Sequence, residues 1–296
     1  MNAYRAKWTK RIPRVFKMPI LYILSYYRRM SLWGYIKKHV AGITPSDQRV
    51  ISKSFKKARI QSLEGLGKWR PPRLIEDATV SVLGLGTFEI RANSDDLWHP
   101  LPRANGAIFG AIAENTNAGD VVVDAGANIG VTTVAFANQV GDNGLVVAVE
   151  MMPNTAAQLK KNVDLNKLSQ VQIIEKALAD ADGHDVTATV SDNEFGLASI
   201  VSEGKSDTEK HEVVVKTITL DTVTQSLDRI AMLKIDLEGA EELALSGAVE
   251  MLKRTKLVLF ESWEPDGGGA GKLLVECGFT LEQVDGINFL AKRSEE

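Results

Sequence analysis

Carboxylates stand at the ends of several apolar runs in this sequence. Asp124 follows three valines and opens a glycine-containing stretch that closes at Gly130, and Glu150 ends the next apolar run 20 residues later. A carboxylate at a strand end can accept two hydrogen bonds from a ribose diol, although a solvated strand-end acid is the alternative for Glu150. A negative charge beside a glycine loop repels phosphate and favours an ammonium group. These residues predict a site for a cationic ligand that carries a ribose.

The glycine loop has the spacing Gly126-x-x-x-Gly130, which differs from the G-x-G-x-x-G of a dinucleotide site. Gly126 would let the backbone approach a ligand, and Gly130 would let the following helix pack against the strand. Asn128 stands where a pyrophosphate would need the backbone close, which argues against a nicotinamide dinucleotide. A purely structural turn is the alternative interpretation of this loop.

A second acidic motif, Lys234-Ile-Asp-Leu-Glu-Gly-Ala-Glu241, occurs later in the chain. Lys234 and Asp236 point to the same face of a strand, and Glu238 would stand at the entry to the next helix. Helix capping explains one of these acids but not the whole motif. Glu261 ends the last predicted parallel strand and adds a carboxylate at the same edge, with an ordinary strand-end acid as the alternative.

These side chains need elements that bring them to one edge. Short β-branched runs separated by amphipathic segments predict strands at 120–124, 145–150, 171–175, 213–219, 232–236 and 257–261, and helices at 131–139, 155–165 and 240–254. Such alternation predicts an α/β fold, a parallel sheet with right-handed crossovers. Ligands of these sheets bind outside the carboxyl ends of the strands, where the acidic residues lie.

The blocks 124–130 and 234–241, about 110 residues apart, resemble the two signature blocks of FkbM-type methyltransferases. Asn154 and the stretches 177–180 and 219–221 are also similar, and the resemblance covers roughly residues 105–292. It implies a class I, S-adenosylmethionine-dependent enzyme with a Rossmann-like, doubly wound, mostly parallel sheet. Such enzymes mostly methylate hydroxyl groups of sugars, polysaccharides and natural products.

The resemblance also implies a set of cofactor-binding residues. They are Asp124, Gly126, Asn128, Gly130, Glu150, Leu178 and Asp236. Asp124, Gly126 and Asn128 would hold the amino-acid end of S-adenosylmethionine. Glu150 would bind the ribose hydroxyls, and the backbone near Leu178 would meet the adenine.

Methyl transfer to an alcohol benefits from a base that removes the hydroxyl proton. The predicted catalytic residues are Asp236, Glu238 and Glu261. His99, between Trp98 and Pro100, is a more distant fourth candidate, with a structural role as the alternative. Asp95-Asp96 could form a turn or a divalent-metal pair, and the turn is preferred. No metal site is predicted, because the single cysteine and the scattered histidines lack ligand spacing.

Two further segments could handle substrate. Residues 191–199 are rich in turn formers and contain one aromatic residue, and residues 266–271 are rich in glycine and follow Glu261. The first could contact the acceptor and the second could act as a hinged cover. A plain surface loop is the alternative for each.

The net charge of −3 averages two unlike parts of the 296 residues. Residues 1–73 carry 18 Lys+Arg against 2 Asp+Glu, and residues 74–296 carry 17 against 36. This composition predicts a basic, aromatic, helical extension over 1–73 and a methyltransferase domain over 74–296. Within the extension, we expect helices at 19–40 and 44–63, the second with Thr44 as N-cap and Asp47 three residues on.

Three interpretations of the basic extension stay open. It could pack on the acidic body or on a second subunit, contact a membrane surface rich in anionic lipid, or bind nucleic acid, which the absence of a recognition motif disfavours. The longest apolar stretch is about ten residues, short of the roughly 20 that span a bilayer, and no signal-peptide cleavage site follows it. A cytoplasmic protein, peripheral on the inner face of the membrane in one interpretation, is expected; the oligomeric state is open.

The sequence therefore predicts S-adenosylmethionine-dependent O-methylation of a hydroxyl on a sugar, glycan, lipid-linked or natural-product acceptor. One alternative is an NAD(P)-dependent oxidoreductase on a similar fold, against which Asp124 and Asn128 speak. Another is a non-catalytic, membrane-associated scaffold, against which the intact acidic edge speaks.

Overall fold

The computed structural model describes residues 43–44, 47–48, 51–52, 73–74, 76–191, 194–200 and 210–294. Most of the basic extension, including its expected helix over 19–40, lies outside these residues. In the part that is described, no helix combines the length and the apolar character needed to cross a membrane.

The described chain alternates strands and helices. Its strands are β1 (Ala78–Val82), β2 (Gly86–Ile90), β3 (Val121–Ala125), β4 (Leu145–Val149), β5 (Val171–Ile174), β6 (Ala177–Leu178), β7 (Asp185–Ser191), β8 (Glu194–Ser199), β9 (Lys210–Ile218), β10 (Ile230–Ile235), β11 (Thr255–Glu261), β12 (Phe279–Gln283) and β13 (Asn288–Arg293). Its helices are α1 (Pro102–Asn115), α2 (Val131–Val140), α3 (Pro153–Leu165), α4 (Leu220–Val223), α5 (Glu241–Ser246), α6 (Val249–Lys253) and α7 (Gly268–Glu276), with a 3-10 helix at Asp96–Trp98.

The central sheet has seven strands in the order β12-β13-β11-β10-β3-β4-β5. From β11 to β5 all neighbours are parallel, and β12 and β13 add an antiparallel edge. The order reverses between β3 and β10, so the ends of these two strands form a crevice. The prediction of a mostly parallel α/β sheet is confirmed.

Helices cover both faces of this sheet. Val122 packs in a cluster with Phe136 of α2, whereas its neighbour Val123 packs on the other side with Leu245 of α5. Successive strand residues point to opposite faces, and both faces are buried, which explains the continuous valine runs. Each large apolar side chain buried in this way contributes about 1.5–3 kcal/mol. The predicted doubly wound arrangement is therefore present.

The prediction of a single long helix at 240–254 is wrong, because the chain forms two helices, α5 and α6, with a break at Gly247. The Gly247 carbonyl accepts a hydrogen bond from the Asp221 amide at 2.9 Å. The Asp221 carboxylate then accepts two amides of the first turn of α6, at 2.6 and 3.1 Å. A Cβ on Gly247 would lie 2.4 Å from the Ala179 carbonyl oxygen. Tertiary contacts therefore override a continuous helical pattern.

The two segments interpreted as loops are also regular structure. Residues 191–199 include β8, which pairs with β7 in a second sheet of order β6-β9-β7-β8. Residues 266–271 contain the start of α7, with Gly267 as N-cap. Gly268, Gly269 and Gly271 belong to α7, and a Cβ on Gly271 would lie 2.9 Å from the backbone carbonyl oxygen of Asp266. This end of the segment is therefore helical, and its role as a hinged cover stays a prediction.

The described part of the basic extension packs on the β1–β2 hairpin. Ile43 and Ile51 are buried in a cluster with the apolar residues of these strands. The Thr44 hydroxyl donates to the Asp47 carboxylate at 2.7 Å, and the same carboxylate accepts the Ser81 amide at 2.8 Å. The Asp47 carboxylate thus links the hairpin to the start of the helical turn that was expected after Thr44. This piece of the extension therefore packs as part of the body.

Candidate functional site

Gly126 carries the chain over the end of the neighbouring strand. Its φ is +80°, and a Cβ there would lie only 1.9 Å from the Asp236 carbonyl oxygen. The amides of Gly126 and Ala127 both donate to the Val149 carbonyl at 3.0 Å. The left-handed backbone and this close approach both require glycine, so the loop is fixed between β4 and β10.

Gly130 joins the loop to α2. Its φ is +91°, and a Cβ would lie 2.5 Å from Cδ1 of Leu159 in α3. The missing side chain therefore lets α3 pack against the start of α2. Gly130 therefore has a packing role, although between two helices rather than between the following helix and the strand, and it is not among the described residues that line the cleft beside the loop.

Asn128 lies at the top of the loop in the left-handed region, with φ of +49°, which asparagine tolerates better than most residues. Its amide donates to Oε2 of Glu150 at 2.9 Å, and its side-chain Nδ2 lies 3.1 Å from Nε2 of His99. The side-chain Oδ1 is buried and has no hydrogen-bond partner within the described part of the chain.

Glu150 follows β4 and faces the same cleft. Its Oε1 accepts the Met152 amide at 2.9 Å, so each carboxylate oxygen already holds one backbone N–H. Burial raises the pKa of Glu150, and the amides of Met152 and Asn128 oppose this rise. Each oxygen keeps a second lone pair, which leaves the carboxylate able to accept a diol.

Asp124 lies beneath the loop rather than in it. The side chain is fully buried and accepts the hydroxyls of Thr132 and Thr133 at 2.8 and 2.6 Å. Burial raises its pKa, and Lys234, Thr133 and Thr132 oppose the rise. Asp124 does not line the cleft among the described residues. Its place in β3 turns the side chain towards α2, so its charge lies beneath the loop and outside the lining of the cleft.

Lys234 connects the loop to the acidic motif. Its buried Nζ donates to the Gly126 carbonyl at 3.1 Å and lies 3.2 Å from Asp236 and 3.8 Å from Asp124. Burial alone would lower the pKa of Lys234, but Asp236, Asp124 and Glu261 outweigh it and raise the pKa. The ammonium group is therefore charged and holds two carboxylates beside the glycine loop.

The acidic motif ends in a tight turn. Glu238 has a φ of +53°, and the Glu241 carboxylate accepts the amides of Leu237 at 2.7 Å and Gly239 at 3.1 Å. Burial, followed by the charges of Asp236, Glu261 and Glu241, raises the pKa of Glu238 to about 8. Burial and Asp236 raise the pKa of Glu261 to about 7. Both carboxyl groups can exchange protons near neutral pH.

A cleft that is open to solvent lies between the loop and this turn. Of the predicted site residues, those that line it are Gly126, Asn128, Glu150, Leu178, Asp236, Glu238 and His99. Asp124, Gly130 and Glu261 do not line it in the described chain. The carboxyl ends of β3, β4 and β10 therefore gather most of the predicted set.

The sequence interpretation missed several wall residues: Asn105, Ile108, Lys176 and Ile200. Ala198 also lines the cleft, and it lies in the segment 191–199 that was expected to contact the acceptor. Ala198 and Ile200 are two positions apart, the period of a strand, and this signal was hidden by the neighbouring turn formers. Asn105 and Ile108 lie in α1, and no sequence spacing connects these two residues with the glycine loop.

The acidic pair at 95–96 lies at the start of the 3-10 helix, which agrees with the preferred interpretation as a turn. Asp96 is buried and pairs with the guanidinium of Arg91 at 2.7 Å. Asp95 is the N-cap of the 3-10 helix. Within the described ranges, no group of three or more His, Cys, Asp or Glu residues is placed to hold a metal ion.

The family model for the methyltransferase FkbM domain matches residues 124–283, which is more than half of the chain. The protein belongs to the FkbM methyltransferase family. This confirms the resemblance and makes methyl transfer the activity of the domain. The oxidoreductase and scaffold alternatives receive no support.

S-adenosylmethionine is the cofactor of this FkbM domain, and the cleft residues fit it. The buried Asn128 Oδ1 lacks a partner among the described residues and offers an acceptor to an ammonium group. The Glu150 carboxylate lines the same cleft and retains acceptor capacity, and Leu178 supplies an apolar wall. An anionic pyrophosphate would meet carboxylates here instead.

Solved methyltransferase structures resemble the FkbM domain in fold. M. jannaschii TYW2 in complex with AdoMet is 14% identical, with a TM-score of 0.42, and the match covers 74% of this chain and 87% of that one. Precorrin-6y C5,15-methyltransferase from Geobacter metallireducens GS-15 is 14% identical, with a TM-score of 0.40 and coverages of 65% and 88%. Aeropyrum pernix fibrillarin with bound S-adenosyl-L-methionine is 12% identical, with a TM-score of 0.38 and coverages of 61% and 72%. No curated protein matches the sequence.

Proposed function

We propose that this FkbM domain methylates a hydroxyl group of a sugar, glycan, lipid-linked or natural-product acceptor, with Glu238 as the base. One observation carries the proposal. Glu238 lines the cleft with a carboxyl whose pKa is raised to about 8. A base is needed when the acceptor is an alcohol, and its optimal pKa lies near the working pH.

The cofactor site in this proposal follows the cleft wall. Gly126 and Asn128 bind the amino-acid end of S-adenosylmethionine, Glu150 binds the ribose hydroxyls, and Leu178 borders the adenine. Asp124 acts indirectly, because it is buried and neutralised in part by Lys234. It holds the start of α2 and the lysine rather than the ligand itself.

When bound, the cofactor supplies a sulfonium methyl group and a neutral thioether leaving group. The cleft residues align the acceptor hydroxyl with that methyl carbon and exclude water, an effect that can contribute about 7–11 kcal/mol in favourable geometries. Glu238 accepts the proton that the hydroxyl loses as its oxygen bonds the methyl carbon. Asp236 stays paired with Lys234 at 3.2 Å and keeps the turn beside the loop.

Glu261 has an electrostatic role in this proposal. Its carboxyl does not line the cleft in the described chain, but its charge is one of the causes that raise the pKa of Glu238. Glu261 therefore increases the basicity of Glu238 without touching the acceptor.

The test is the Glu238→Gln variant with a panel of sugar, lipid-linked and natural-product hydroxyl acceptors. We expect kcat/KM to fall by about 10²–10⁴-fold, while S-adenosylhomocysteine affinity, measured by calorimetry, stays unchanged. Glu276→Gln, an exposed residue at the end of α7, is the matched control. Wild-type turnover in Glu238→Gln would show that Glu238 is not the base. Methyl transfer only to carbon or nitrogen acceptors would contradict O-methylation.

We also propose that the basic extension holds the enzyme at the cytoplasmic face of an anionic membrane. Its 18 Lys+Arg residues against 2 Asp+Glu residues support this, since each basic residue near such a surface contributes about 1 kcal/mol. The expected result is flotation with anionic vesicles, lost in neutral vesicles and in a variant lacking residues 1–40. This truncation keeps Ile43 and Ile51, which belong to the core. Equal flotation of both chains would contradict the proposal.

A further inference from the structure

His99 borders the cofactor cleft although it precedes the residues that match the family model, 124–283. Its ring Nε2 lies 3.1 Å from the side-chain Nδ2 of Asn128. An amide nitrogen has only hydrogens to offer, so the ring nitrogen is the acceptor and the ring proton is on Nδ1. In this arrangement Nδ2 of Asn128 faces His99 and Oδ1 faces away from it.

We propose that His99 is a positioning residue that orients Asn128 so that its Oδ1 accepts a hydrogen bond from the α-ammonium group of S-adenosylmethionine. The inference rests on the proposed placement of the cofactor. Because the amide is planar, holding Nδ2 on His99 places Oδ1 on the opposite side. That oxygen is buried and has no partner in the described chain, and a buried carbonyl oxygen normally has one.

The backbone of Asn128 is fixed as firmly as its side chain. Its amide donates to Glu150 at 2.9 Å, so the residue joins His99 on one side to the ribose-binding carboxylate on the other. The left-handed φ of +49° at Asn128 orients both groups at once. His99 therefore completes a hydrogen-bonded series along the cleft wall.

His99 is itself held in place by buried structure. Its amide donates to the Asp96 carbonyl at 3.3 Å, and the Asp96 carboxylate pairs with Arg91 at 2.7 and 2.8 Å. The side chain of Asn105 donates to the His99 carbonyl at 2.7 Å. Asn105 has non-helical angles of φ −120° and ψ 18° inside α1, a kink that brings it to the cleft. The position of His99 is thus determined by several independent contacts.

The experiment compares two ligands by calorimetry. S-adenosylhomocysteine carries the α-amino group, and 5′-methylthioadenosine lacks the amino-acid end but keeps the ribose and adenine. For His99→Ala we expect S-adenosylhomocysteine affinity to fall about tenfold, with 5′-methylthioadenosine affinity unchanged. His99→Gln, whose amide oxygen can accept from Nδ2, should keep affinity within about threefold of wild type. The control His184→Ala replaces an exposed histidine that does not line the cleft, and it should change neither affinity.

A double variant tests the route through Asn128. If His99 acts through that residue, His99→Ala combined with Asn128→Ala should bind S-adenosylhomocysteine no more weakly than Asn128→Ala alone. Equal losses for both ligands would assign His99 to the shape of the cleft and overturn the inference, as would unchanged S-adenosylhomocysteine binding. A wild-type protein that binds neither ligand would contradict the cofactor site itself, a result distinct from failure of the His99 variants alone.

Discussion

The glycine loop and the acidic turn border the same cleft, but different forces hold them. Gly126 in the loop is fixed by close packing, with room for no Cβ beneath the Asp236 carbonyl. The turn that carries Glu238 is governed by charge, with Lys234 between two carboxylates and the pKa of Glu238 raised to about 8. Substitutions that add atoms should therefore destabilise the loop, whereas the turn should be sensitive to the removal of charges and to pH.

The largest effect is expected for Gly126→Ala. The new Cβ would lie 1.9 Å from a backbone oxygen at a φ of +80°, so strain and overpacking should together lower the free energy of unfolding by about 4 kcal/mol or more. Urea denaturation measures this loss. Gly119→Ala is the matched control, because Gly119 has a φ of +88° but no atom within 4 Å of a Cβ. Equal losses in both variants would show that packing does not hold the loop.

A smaller effect is expected for Lys234→Met. Removing the ammonium leaves Asp124, which is fully buried, without its counter-ion, and breaking such a pair costs about 3 kcal/mol. Adding Asp124→Asn should recover part of the loss because the buried charge is gone. Thermal unfolding of the single and double variants makes the comparison, and a double variant no more stable than Lys234→Met would contradict charge as the cause.

A pH dependence of stability is also expected. The pKa of Glu238 is raised from 4.5 to about 8, so the folded protein keeps a proton that the unfolded chain releases in this window. The free energy of unfolding should therefore fall as pH rises from 4.5 to about 8. Glu238→Gln should flatten this dependence, measured by denaturation at several pH values. If the stability of wild type and of Glu238→Gln changed with pH in parallel, the pKa of Glu238 would not be raised in the folded protein.

Activity should change with pH in the opposite direction. The base form of Glu238 accumulates only as pH approaches and passes about 8, so kcat/KM should rise through the range in which stability falls. Glu238→Gln should therefore remove the rise in activity and reduce the fall in stability, part of which remains because the pKa of Glu261 is also raised, to about 7.

Much of the site could be predicted because parallel strands end at one edge. Gly126, Glu150 and Asp236 were assigned to a common site from their places after apolar runs, and β3, β4 and β10 bring them to one cleft. The strand period also placed Lys234 and Asp236 on the same face, where the structure pairs them at 3.2 Å. These inferences needed only the alternation of strands and helices and the direction of the crossovers.

Other features could not be predicted, because they depend on which elements meet. The burial of Asp124 depends on the hydroxyls of Thr132 and Thr133 in α2. The break at Gly247 depends on Asp221, 26 residues earlier in the chain. His99 contacts Asn128 only because the segment before the sheet folds back over the loop.

The sequence by itself determined the family, the parallel sheet and the edge at which chemistry takes place, since these follow from short-range pattern and two motifs. Only the tertiary structure decided which carboxylates line the cleft and which lie beneath or beside it. The reason is that hydrophobic periodicity specifies the face of an element that is buried, whereas the pKa and the role of a polar group depend on the partners that distant parts of the chain bring to it.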